Sequence, residues 1–194
     1  MSNIALTSID AYNRHAEKSD WPSYADQTLS FEAEPLREAL NVWNSARNGR
    51  DLPERQDMAP RVMKAFLNQI AIIDAVIENG RRRYRVRIAG TALDAAYGNL
   101  KVEWIDKAIG EPSRSRWHQT LDLCFDVRGP VRTIGIVGFN DMNYLEVETL
   151  IAPLGRDIDH PVAVFIALNL QSASKRSVPL FSARSHSSAR LGAG

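Results

Sequence analysis

Residues 71–88 read AIIDAVIENGRRRYRVRI, a stretch that can fold in few ways. Asn79-Gly80 suits a two-residue type I′ turn, because both residues tolerate φ > 0. With that dipeptide as the fold point, Glu78 faces Arg81, Ile77 faces Arg82, Val76 faces Arg83 and Ala75 faces Tyr84. Asp74 then meets Arg85, Ile73 meets Val86, Ile72 meets Arg87 and Ala71 meets Ile88. Side chains alternate between the two faces of a strand. One face therefore carries Ala71, Ile73, Ala75, Ile77, Tyr84, Val86 and Ile88, with Arg82 near the turn. The other carries Glu78/Arg81, Asp74/Arg85, Val76/Arg83 and Ile72/Arg87. One assumption yields an apolar face and two opposite-charge pairs, and a one-residue slip destroys both.

The chain around this hairpin has 194 residues, enough for one domain with a sizeable core and extra segments at its ends. A net charge of +1 gives no global field for nucleic acid or membrane. The single cysteine, Cys124, excludes an internal disulfide and fits a reducing compartment. The first residues lack the apolar run of a signal peptide. The longest apolar run, Val162 to Leu168, is far below the roughly 20 residues that span a bilayer. These features predict a soluble, cytoplasmic protein.

Residues 1–27 are polar and weakly periodic, and are expected to form an arm. Residues 28–50 form a leading unit, in which Leu36, Leu40 and Trp43 recur at helical spacing within Leu29 to Arg47. This narrow apolar stripe should either cover the outer sheet face or pair with its copy in a homodimer. A short helix is expected from Pro60 to Gln69, presenting Val62, Met63, Phe66 and Leu67. After the hairpin, Thr91 is an N-cap candidate for a helix ending at Gly98. Asn99 to Gly110 is mixed. A longer helix, about Pro112 to Val127, carries Trp117, Leu121, Cys124, Phe125 and Val127 on one face. Three strands follow, Val131–Val137, Asn143–Pro153 and Pro161–Leu170, with GRDIDH (155–160) as a hairpin loop. Residues 172–194 are Ser-rich and basic, without an acidic residue, which predicts a disordered tail. The order gives an α+β fold: a five-stranded antiparallel sheet with a helical crossover, its helices on one face, over residues 51–171.

That order, with several particular residues, resembles a PAS domain. Within PAS domains it is similar to a family of small, nearly stand-alone alphaproteobacterial proteins. The matching residues are Trp43 and Arg47, Leu52-Pro-Glu-Arg-Gln-Asp-Met-Ala-Pro60, Ile72-Ile-Asp74, Tyr84-Arg-Val-Arg-Ile-Ala-Gly-Thr91 and Tyr97-Gly98. RYRVRIAGT followed by YG is the most telling part. The family often has a glycine-containing turn after Gly98, where this chain reads NLKVEWIDKA. The resemblance implies regulation, by sensing or by docking to signalling partners, and none of these residues is catalytic in a known reaction.

Several side chains admit both a chemical and a purely structural role. Arg81, Arg83, Arg85 and Arg87 share one face and could meet nucleic acid or an acidic protein, but the face lacks the exposed aromatics that stack single strands. Cys124 lies on an apolar helix face and reads as a core thiol. It is also about 240° around the helix from His118, so the two form no dyad. His118 falls off the apolar stripe and reads as a surface residue rather than a haem ligand. Asp157, Asp159 and His160 crowd one loop without metal-loop spacing. Glu146 and Glu148 share a strand face, and acid–base chemistry would need such a pair.

The expected activity is that of a non-enzymatic sensory module. Its ligand pocket is expected to be walled by Ile73, Val86, Ile88, Trp104, Trp117, Leu121, Phe125 and Val147, and to take a small apolar ligand or be filled by its own side chains. Partner or dimer contacts are expected at Leu36, Leu40, Trp43, Arg83, Arg85 and Arg87. The sequence names no cofactor. A cavity enzyme and an arginine-face binder of nucleic acid or acidic partners are the alternatives.

Overall fold

A computed structural model describes residues 3–26, 28–98, 100, 103–137, 145–159 and 161–172. The expected tail after Ser172, which itself ends a strand, and the expected strand start at Asn143 and Tyr144 lie outside these residues. Six strands form one antiparallel sheet: β1 (Ser23–Asp26), β2 (Ile70–Glu78), β3 (Arg81–Ala89), β4 (Val131–Ile136), β5 (Leu145–Gly155) and β6 (Pro161–Ser172), in the spatial order β1-β4-β5-β6-β2-β3. The five expected strands are present, and β1 adds a sixth. The helices are α1 (Asn3–Lys18), α2 (Glu34–Ala46), α3 (Thr91–Tyr97), α4 (Ile105–Ala108) and α5 (Ser113–Val127).

The hairpin turns at Asn79-Gly80, with φ of 51° and 74°. Its register is as expected from Glu78↔Arg81 to Ile73↔Val86. Beyond that, a bulge changes the pairing to Ile72↔Ile88 and Ala71↔Ala89, leaving Arg87 as the extra residue. Strict alternation has no term for an inserted residue. The bulge turns Ala89 inward and leaves Ile88 37% exposed, so Ile88 does not face the inner core. Ile77, at the hairpin tip, is 65% exposed. The ion pairs also run diagonally rather than straight across: Glu78 with Arg83 (2.6 Å) and Asp74 with Arg87. Strand twist and the length of arginine favour the diagonal neighbour.

The helices cover both faces of the sheet, not one. On the inner face, α1, α3, α4 and α5 enclose a core that includes Ile73, Tyr84, Val86, Leu121, Phe125, Val164 and Ile166. On the outer face, α2 and the turns 55–69 enclose a second core around Trp43, Met58, Phe66, Ile72, Leu150 and Phe165. Helix α2 is shorter than Leu29–Arg47, and of its two expected uses it performs the first. Leu36, Ala39 and Trp43 are buried against the sheet, Leu40 is half-buried, and Trp43 Nε1–H donates to the Pro153 carbonyl (3.1 Å). Pro60–Gln69 forms two tight 3₁₀ turns rather than one helix, with Met63 and Phe66 buried and Val62 exposed. At α3 the cap position is Gly90, and Thr91 is the first helical residue.

The largest departure is at the N-terminus. Residues 1–27, expected as a polar arm, contain α1 and β1. Ala5, Ile9, Tyr12 and Ala16 are one helical stripe, and all are buried in the inner core cluster or its neighbourhood. Two of the four are alanines, too small to lift the segment above its polar background. Asn13 holds β1 by donating to the Ala25 carbonyl (2.9 Å) and accepting from its N–H (2.8 Å). A Cβ at Gly135 would stand 2.3 Å from the Pro22 carbonyl oxygen, so only glycine there lets the segment lie against β4.

Candidate functional site

The inner face contains a cavity of about 70 Å³. Its walls are Tyr97 of α3, Trp117, Thr120 and Leu121 of α5, and Val147, Thr149, Ile151, Ile166 and Leu168 of the sheet. Pro22 and Ser23 line its remaining side. The Tyr97 and Trp117 rings meet edge to face, with centroids 5.1 Å apart. A polar ring surrounds the segment 22–23. The Tyr12 hydroxyl hydrogen-bonds Ser23 Oγ (2.8 Å) and Thr120 Oγ1 (3.0 Å), Thr120 Oγ1 donates to the Arg116 carbonyl (2.8 Å), and Arg116 donates to the Ile136 carbonyl (3.2 Å). Burial pushes the Tyr97 hydroxyl pKa up and keeps the wall uncharged there.

Of the eight residues expected at a pocket, the structure brings Trp117, Leu121 and Val147 to this cavity. Ile73, Val86 and Phe125 sit in the packed core beside it, Phe125 stacked with Tyr84 at 6.4 Å. Ile88 faces the other side of the sheet, by the bulge. Trp104 lies over the hairpin, bridging to Arg85 with the Arg83 guanidinium 4.5 Å from its ring centroid. Ser23, Thr120 and Tyr12 were not foreseen. Their signal was the helical stripe of α1, which places Tyr12 beside α5.

The charged candidates are mostly committed to one another. Arg83 pairs with Glu78 and with Asp106 (3.1 Å), and Asp106 also meets His118 Nε2 (2.8 Å). Burial pushes the Asp106 carboxyl up, but His118 and Arg83 outweigh it and hold it below the usual range. His118 is thus half-buried and hydrogen-bonded to Asp106 rather than a surface residue. The Arg85 Nε is buried without a hydrogen-bond partner among the described residues. The Cys124 thiol is fully buried and its pKa is pushed up, chiefly by burial, so it stays protonated. Asp157 accepts the Asp159 N–H (3.0 Å) and Asp159 pairs with Arg128 (3.0 Å), while His160 lies outside the described residues.

Glu148 does not stand ready for proton transfer. Its carboxylate is buried, accepts from the backbone N–H groups of Glu32 (2.9 Å) and Ala33 (3.0 Å), and pairs with buried Arg132 (2.7 Å). Arg132 reaches on to Asp26 of β1. The cluster ties β1, β4, β5 and the approach to α2 together.

The LPERQD run also has a structural role. Arg50 binds Glu54 (3.2 Å), Asp57 (2.5 Å) and the Ala46 carbonyl (3.2 Å), and Glu54 and Asp57 form a reciprocal capping box. Arg55 reaches across to Asp74 (3.2 Å). No helix among the described residues is long and apolar enough to cross a membrane. The family model of the PAS domain matches residues 31–169, which includes α2 and begins earlier than the resemblance at 51–171. No curated protein and no solved structure matches the chain.

Proposed function

The chain belongs to the PAS-domain family, whose members are in general sensory and regulatory modules, and from that premise we propose that it regulates by binding rather than by catalysis. Its signal is a small apolar molecule held in the inner-face cavity, between Trp117, Leu121 and Val147. The observation that supports this is the cavity's composition. Aliphatic and aromatic walls predominate, with Thr and Ser hydroxyls and the charged side chain of Arg116 beside Pro22-Ser23. A space of about 70 Å³ is small beside the roughly 300–1,000 Å³ of drug-sized pockets. The ligand is therefore compact, or its entry displaces Pro22-Ser23 and thereby reports to β1 and α1. A non-enzymatic role agrees with Glu148 being fully engaged by Arg132 and two backbone N–H groups. Pairing of two copies through Leu36 and Trp43 is no part of the proposal, since both already lie buried against their own sheet. Cytoplasmic action fits a lone, free and buried cysteine.

Native mass spectrometry of the freshly purified full chain tests the reading. The expected result is a mass excess that vanishes on denaturation and is lost in Val147→Phe, which fills the cavity. No excess, or an excess unchanged by Val147→Phe, would sink the ligand reading.

A further inference from the structure

The outer face of the hairpin holds a second site, which depends on the regulatory reading only in supposing that such a module docks to partners. Between residues 55–60 and the second half of β3 runs a groove of about 380 Å³. Its floor includes Met58 and Ile72, both buried, and its rim holds exposed Ile88, Arg55 and Arg87. Two guanidinium groups here share one carboxylate. Arg87 uses its Nε on Asp74 and Arg55 uses one Nη. Each arginine has five N–H donors. Among the described residues both Nη groups of Arg87, and Nε and the second Nη of Arg55, meet no hydrogen-bond partner. The site has one positive charge in excess and donors in a fork geometry that fits a second carboxylate. Val62, in the turn after Pro60, is 42% exposed and adds apolar surface nearby.

We infer that this groove docks an acidic segment of a partner protein, with a Glu or Asp carboxylate on Arg55 and Arg87 and an adjacent aliphatic side chain over Met58, Ile72 and Ile88. The chain's own residues 173–194 do not fit, since they hold Lys175, Arg176, Arg184 and Arg190 and no carboxylate side chain. A second copy set face to face about a two-fold axis would oppose Arg55 and Arg87 to themselves. Nucleic acid would satisfy the arginines but leave the apolar floor against sugar and phosphate.

Selection of a random peptide library on the full chain tests this, with the Arg55→Gln/Asp74→Asn/Arg87→Gln chain as counter-target. The triple change leaves no buried carboxylate unpaired. The expected winners carry Asp or Glu beside Leu, Ile or Val, and bind the natural chain about tenfold tighter than the triple variant. Ile88→Glu, on the exposed rim and outside the Asp74 hydrogen bonds, is expected to weaken them similarly. No enrichment, winners without carboxylates, or winners indifferent to both variants would overturn the inference. So would a labelled single-stranded oligonucleotide that binds the natural chain and displaces the peptides. The groove and the cavity lie on opposite faces, so a bound mass without peptide winners, or the reverse, separates the two readings.

Discussion

The two faces of the sheet solve the same problem differently. The inner face is covered by α1, α3, α4 and α5 up to the hairpin tip, and its core contains a cavity. The outer face is covered only under α2 and the turns 55–69. Beyond Ile72, β2 leaves Val76 on that face exposed, and the polar side chains of β3 run to the tip. Strand β2 contributes to both, with Ile73 and Ile72 buried on opposite sides one residue apart. A strand buried on both faces reads as a continuous apolar run, and AII (71–73) does so before alternation with charge begins at Asp74. The comparison teaches that a buried residue and a covered face are separate facts. Each covering element must come from elsewhere in the chain and be fastened there.

Charge pairing differs between the β1–β4 edge and the hairpin, and gives the largest expected effect. Arg132 and Arg83 each pair with two carboxylates, but Arg132 is buried and Arg83 is about one-third exposed. Arg132→Ala leaves Glu148 buried without its cation, and unfolding in urea should show a loss of about 3–5 kcal/mol. Arg83→Ala, in a solvated network, should cost about 1 kcal/mol or less. Equal losses would break the distinction between the fastened β1–β4 edge and the open hairpin.

The second effect depends on pH. Burial raises the Asp26 carboxyl, but the Thr28 N–H and Arg132 outweigh it, and the net value in the folded chain lies below the ordinary one. The folded chain therefore binds this proton less tightly than the unfolded chain. Its contribution is complete above the ordinary carboxylate value of about 3.9 and is lost as the pH falls through the depressed one. Acid should loosen β1 from β4 first, seen as amide protection falling at residues 23–26 before it falls in β5 and β6. Asp26→Asn should weaken β1 at neutral pH and remove that acid-dependent step. Simultaneous loss of protection in β1 and β5 would show that the N-terminal strand is integral to the sheet rather than a separately fastened cover.

The legibility of the chain follows the same division. Asn79-Gly80 and the alternation around it determined six of eight cross-strand pairs, because a hairpin is local and its turn residues have backbone requirements of their own. Leu36 and Trp43 were legible as a helical stripe, and so were Leu121, Cys124 and Phe125. The bulge at Arg87 was not, since it depends on how the strand end meets residues 67–68, where a Cβ on Gly90 would stand 2.4 Å from the Asn68 carbonyl oxygen. Three of eight pocket residues reached the cavity because alternation tells which side a residue faces, not how far along the sheet the empty space lies. The N-terminal cover was hidden for a different reason. Its hold comes from Tyr12 and Asp26 meeting residues far along the chain and from Asn13 fixing β1 to α1, and polar side chains used as fasteners resemble those of a solvated arm.

The smallest expected effect tests whether the hairpin tip is open in solution. Ile77 belongs to the same alternating set as Ile73, yet it is 65% exposed where Ile73 is fully buried. Burial on that face ends because no helix reaches over the tip: α5 stops its cover with Phe125, against which Arg82 stacks at 4.9 Å. Exposed apolar side chains contribute little to folding, so Ile77→Ser should change the unfolding free energy by no more than about 0.5 kcal/mol. The measurement is a urea titration at several protein concentrations. A loss above about 1.5 kcal/mol that grows with concentration would mean that a second copy buries the tip, as linkage between association and stability requires. The hairpin tip would then be an interface between copies. A small, concentration-independent change means that the hairpin tip is open in solution, as its 65% exposure at Ile77 implies.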